Sequence, residues 1–92
     1  MLINGEQVKL TPVEFRLLAY LVSNAGRVLS FEQILDNVWG SEYKGNDDYV
    51  HVYVSHLRSK IERDPKNPRY ILSIHGVGYI FEKQDFTEAS AG

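Results

Sequence analysis

Residues Asp47–Glu62, DDYVHVYVSHLRSKIE, decide how the rest of the chain is read. Val50, Val54, Leu57 and Ile61 follow an i, i+4, i+7, i+11 spacing, which stacks four branched apolar side chains on one helical face. The spacing predicts a helix over residues 48–62 with Tyr53 on the flank of its buried stripe. The opposite side carries Asp48, Val52, Ser55, His56 and Ser59, with His51 and Arg58 at one edge and Lys60 near the other. Short hydrogen-bonding groups, one small methyl-bearing side chain and cations are what a helix needs to enter a DNA major groove. Asp47 or Asn46 is expected to cap the first turn by accepting backbone N–H bonds. An ordinary amphipathic helix with a solvated outer face would show the same period. The flanking segments weigh between the two.

Upstream, residues 41–46 are polar and glycine-containing and read as a loop. Before them Ser30 caps a helix with Gln33 placed to complete a capping box; Ile34, Leu35 and Val38 face inward, and Trp39-Gly40 ends it. Val28 and Leu29 read as a short extended link. An earlier helix opens at Thr11-Pro12, with Thr11 as N-cap, Pro12 at the first helical position and Glu14 at the third. Its buried stripe is expected to be Phe15, Leu18, Ala19 and Val22, widened by Leu17 and Leu21. It stops at Asn24-Ala25-Gly26. Residues 1–9 read as two short extended pieces around Asn4-Gly5, a strong hairpin signal.

Downstream, Asp64-Pro65 ends the central helix. From Arg69 the period changes to two: YILSI and GYIFE form a hairpin joined through His75-Gly76-Val77-Gly78. Tyr20, Phe31, Trp39, Tyr70, Tyr79, Ile80 and Phe81 are expected as core and lid. The order is hairpin, three helices, hairpin. This predicts an α+β winged helix-turn-helix: a three-helix core with a short N-terminal β-hairpin and a C-terminal β-hairpin wing. The domain is expected over residues 1–83, with residues 84–92 as a flexible tail.

Ninety-two residues suit one small domain, which buries only about 60–65% of its unfolded surface. No apolar run approaches the roughly 18 residues of a membrane span, and no signal-peptide pattern opens the chain. The chain lacks cysteine, so it has no disulfide framework or thiolate nucleophile, and the cytoplasm is the natural compartment. The net charge of −2 is unevenly spread: residues 1–48 carry −3, residues 49–75 carry +3, and residues 76–92 carry −2. All the positive excess lies in the central helix and the segment leading into the terminal hairpin, a pointer to a polyanion.

LTPVEFRLLAYLVSNAGRVLSFEQILDNVWG at 10–40, VHVYVSHLRSKIE at 50–62 and ILSIHGVGYIFE at 71–82 together resemble the effector domain of OmpR/PhoB-family response regulators. That resemblance implies a winged helix-turn-helix that binds double-stranded DNA in transcription regulation, as the output half of a two-component system whose phosphorylatable receiver domain is absent from this chain. It implies base contacts from His51, Val52, Ser55 and His56, and a phosphate contact from Arg58, to which Ser59, Lys60 and Tyr79 are added as candidates. It places the wing at His75 and Gly76. It implies a loop presented to RNA polymerase at Gly40, Ser41, Glu42, Tyr43, Lys44, Gly45 and Asn46, and two copies bound head to tail on a direct repeat. The family often has arginine where this chain has Asp48 and His75, and arginine or lysine where it has His56. Each missing phosphate contact lowers the salt dependence by about 0.9 log units per log salt. The alternative is a winged-helix module whose outer face binds a protein partner rather than DNA, which the acidic balance favours.

The three histidines do not read as a metal site, because His51 and His56 differ by five positions and diverge on a helix. They read instead as donors to base edges or phosphates when protonated. Gly76-Val77-Gly78 opens no helix and is not a phosphate cradle. No GxSxG, HExxH or P-loop pattern is present, so neither an enzyme nor a cofactor is expected.

Overall fold

The computed structural model describes residues 2, 3 and 6–83, with side chains from Val8 onward. Strands β1 (Leu2–Ile3) and β2 (Glu6–Gln7) pair antiparallel, Leu2 opposite Gln7 and Ile3 opposite Glu6. The turn expected at Asn4-Gly5 and the flexible tail expected over 84–92 fall outside the described residues.

Helix α1 (Pro12–Ser23) begins as its sequence dictates. Thr11 accepts from the Glu14 N–H, and the Glu14 carboxylate accepts from the Thr11 N–H at 2.9 Å, closing the capping box. Its buried side is Glu14, Leu17, Leu18 and Leu21, which corrects the expected stripe. Leu17, Leu18 and Leu21 face the core, but Phe15 and Val22 are about half exposed and Ala19 is exposed. Apolar residues nearly encircle this helix, so periodicity leaves its rotation open; the capping-box acid, turned inward to meet Lys60, sets it.

Val28–Ser30 is a strand, β3, rather than a link. It pairs antiparallel with β5 (Gly78–Phe81), which also pairs with β4 (Ile71–Ile74), giving a three-stranded sheet in the order β3-β5-β4. The wing hairpin is thereby anchored to the segment that opens the second helix. Gly78 makes this possible. A Cβ there would lie 1.8 Å from the Leu29 carbonyl oxygen, so no larger residue fits between β5 and β3.

The second helix is capped by Ser30 and Gln33 as predicted, but only Phe31–Ile34 (α2) is α-helical. It continues as a π turn, Leu35–Trp39, closed by the Gly40 N–H on the Leu35 carbonyl at 2.8 Å. Ile34, Leu35 and Val38 are buried. The expected loop contains a short 3₁₀ turn, Ser41–Tyr43.

Helix α3 runs Asp47–Ile61, within one residue of the sequence reading at each end. Asn46 holds the cap position without a side-chain hydrogen bond, so neither Asn46 nor Asp47 supplies the expected cap. Val50, Val54, Leu57 and Ile61 are all buried, against Leu17, Leu21, Ile34 and Ile71 in one core cluster. Tyr20, Phe31, Trp39, Tyr53, Tyr70 and Phe81 pack around that cluster, and Tyr79 is part of it.

Candidate nucleic-acid interface

The rotation imposed by the buried stripe turns the other side of α3 outward. Val52 is 48% exposed, although nothing polar recommends it to water. His51, Ser55, His56 and Ser59 are exposed beside it. The four expected base-facing residues therefore share one accessible surface.

Three sets of contacts tie α3 to its surroundings. His51 Nδ1 lies 2.7 Å from the Tyr79 hydroxyl, and its ring meets the Phe31 ring edge-on at 4.9 Å, joining α3 to β5 and α2. Arg58 donates to the Ile71 carbonyl from Nε at 3.1 Å and from Nη2 at 2.7 Å. Its Nη2 also reaches Ser73 Oγ at 3.0 Å, and its guanidinium lies over the Tyr79 ring. One turn later, the buried Glu62 carboxylate accepts from the backbone N–H groups of Arg69, Tyr70 and Ile71. Arg58 and Glu62 thus hold the start of the wing hairpin by its carbonyl and its amides at once.

Two candidate phosphate contacts are committed elsewhere. Lys60 Nζ lies 2.6 Å from Glu14 Oε1, so its ammonium ties α3 to α1 rather than standing free. Tyr79 is only 5% exposed, and its hydroxyl lies within hydrogen-bond distance of His51 Nδ1. Ser59 donates to the Ser55 carbonyl at 3.1 Å, leaving its oxygen as an acceptor only. Arg58 is half-buried but keeps Nη1 without a partner among the described residues. Sequence reasoning missed Glu14, Phe31, Glu62 and Ser73 as supports. Their partners are distant in the chain, and only the capping box at Glu14 left a local signal.

Around the buried Glu14 carboxylate, burial pushes its pKa up, but the Lys60 ammonium and the Thr11 N–H outweigh it, and the net shift is downward. His56 Nδ1 stands 3.9 Å from the second carboxylate oxygen. At the wing, His75, Gly76 and Val77 are exposed, and Gly76 takes φ +71, the left-handed turn conformation glycine allows. The loop 40–46 is bracketed by rings: Trp39 stacks on Tyr49, and Tyr43 meets Tyr49 edge-on. Lys44 lies 3.8 Å from Glu32 at the surface.

The family described as "transcriptional regulatory protein, C terminal" matches residues 5–81. This chain is an OmpR/PhoB-type effector domain. The effector domain is 49% identical over 76 residues to the KDP operon transcriptional regulatory protein KdpE of Escherichia coli, covering 83% of this chain and 34% of that protein. It is 48% identical over 80 residues to the sensory transduction protein RegX3 of Mycolicibacterium smegmatis, covering 87% and 35%. It spans about a third of the length of these relatives. Among solved structures it resembles the Klebsiella pneumoniae RstA DNA-binding domain in complex with the RstA box, with a TM-score of 0.78 at 32% identity over 87% of this chain and 80% of that one. It also resembles DrrB, a Thermotoga maritima OmpR/PhoB homologue, with a TM-score of 0.77 at 37% identity over 86% of this chain and 36% of that one.

Proposed function

We propose that this effector domain binds double-stranded DNA sequence-specifically, as the output module of a two-component transcriptional response regulator. Helix α3 lies in the major groove, and the turn at His75 and Gly76 presses on the backbone or minor groove. His51, Val52, Ser55 and His56 read base edges, and Arg58 positions the helix through a phosphate. The observation that carries this reading is the outward surface around Val52: an exposed valine flanked by hydrogen-bonding side chains on a helix whose other face is fully buried. A thymine methyl is the partner that such a side chain fits. The RstA domain, similar in fold and sequence, supports it by having been solved with a DNA box.

In this reading the protein works in the cytoplasm, two copies bind a direct repeat head to tail, and the loop 40–46 turns toward RNA polymerase. No helix among the described residues is long and apolar enough to cross a membrane. Val52→Glu is the direct test. Folding is expected to persist, with an unchanged thermal midpoint, while preference among duplex sequences disappears. A lowered midpoint with sequence preference intact would make Val52 a packing residue and defeat the assignment.

A further inference from the structure

Resting on the DNA-binding reading, we infer that Tyr79 fixes His51 as the tautomer protonated on Nε2, so that His51 presents a hydrogen-bond donor, and no acceptor, to the groove. The argument is a count of hydrogens. Burial raises the Tyr79 phenol above its ordinary value of 10, against a smaller opposing pull from Arg58, so the hydroxyl keeps its proton. The residue is only 5% exposed, which favours pairing that hydroxyl within the protein. Among the described residues its hydrogen-bond partner is His51 Nδ1, at 2.7 Å. Were Nδ1 the donor, the phenolic hydrogen would be left without an acceptor among the described residues, an expensive arrangement. Tyr79 therefore donates, Nδ1 accepts, and the neutral imidazole carries its hydrogen on Nε2.

Phe31, edge-on to the same ring, and the pairing of β5 with both β3 and β4 keep this geometry from swinging. His51 then needs no second proton to act as a donor. Its targets are groups with a lone pair in the major groove: guanine N7 and O6, adenine N7 or thymine O4. The exocyclic amines of cytosine and adenine, which are donors, are rejected. Tyr79 is a positioning residue, acting on DNA through His51.

The test has two arms. In the free, ¹⁵N-labelled protein at about pH 8, where an unperturbed imidazole is neutral, long-range ¹H–¹⁵N spectra should show His51 protonated at Nε2, with Nδ1 shifted as a hydrogen-bond acceptor. Tyr79→Phe, which keeps the ring and removes the hydroxyl, should erase that acceptor shift. In the second arm, 7-deazapurines are placed one at a time in a selected duplex, and 4-thiothymine replaces each thymine. One position should weaken wild-type binding by roughly fivefold to tenfold and leave the Tyr79→Phe protein little affected there. A proton on Nδ1 in the wild type overturns the assignment, as does a Tyr79→Phe protein identical to wild type in both arms. The expected ring spectra with no duplex retained would instead overturn the DNA reading and the base targets with it.

Discussion

Glu14 is buried with its side chain only 4% exposed, yet it keeps its charge because Lys60 and Thr11 bond to its carboxylate. Its folded-state pKa is lowered from the ordinary 4.5, so the charged carboxylate contributes stability that is complete above 4.5 and lost as the pH falls through the lowered folded value. Lys60→Met would strand that carboxylate. It should cost about 1–2 kcal/mol in denaturant unfolding at neutral pH, with the gap to wild type narrowing on acidification below 4.5, as Glu14 takes up a proton. A gap constant with pH would mean that the pair contributes only packing. The outward placement of His51, Val52, Ser55 and His56 was legible from periodicity alone, because a stripe of four branched residues leaves one orientation for α3. The fates of Lys60 and Tyr79 were not. Their partners lie 46 and 28 residues away, beyond any local pattern.

The decisive relation between elements is the double hold of α3 on the wing. Arg58 grips the Ile71 carbonyl and Ser73, and Glu62 collects the N–H groups of Arg69, Tyr70 and Ile71. Glu62→Ala leaves those amides without an acceptor, at least one of them in a buried setting. Its expected cost is about 2–3 kcal/mol in denaturant unfolding, with accelerated amide exchange concentrated at 69–74; uniform exchange along the chain would contradict a local clamp. Gly78→Ala should be worse, because the added carbon meets the Leu29 carbonyl oxygen at 1.8 Å. A loss of roughly 3 kcal/mol or more is expected, and an unshifted thermal midpoint would show that β3 and β5 do not pair as described. The glycine-bracketed hairpin was visible in the sequence. The third strand was not, since Val28–Ser30 is too short for alternation to register and only its distant partner makes it a strand. The π turn at Leu35–Trp39 likewise keeps the inward positions a helix reading expects, so the apolar pattern does not betray it.

At the scale of the whole molecule, an acidic chain presents its cationic excess where α3 ends and the wing begins. Arg63, Lys66 and Arg69 are exposed there, beyond the half-buried Arg58. Asp47 and Asp48 sit instead at the N-terminus of α3, where the helix dipole favours them. The charge asymmetry, the motif spacing and the family were all readable in the amino-acid order, because each depends on residues near one another or on sums. How the helices rotate and which cations remain free depend on the packed structure. With Lys60 engaged by Glu14 and no arginine at positions 48, 56 or 75, the cations of this face that can replace counterions on DNA are Arg58, Arg63, Lys66 and Arg69, all toward one end of α3. Binding should therefore be sequence-selective with a shallow salt dependence. The most direct measurement is selection of this chain against a pool of random duplexes at about 50 and 200 mM salt. Recovery of a common sequence, with affinity falling modestly between the two, is the expected result. No duplex retained at the lower salt would contradict the account.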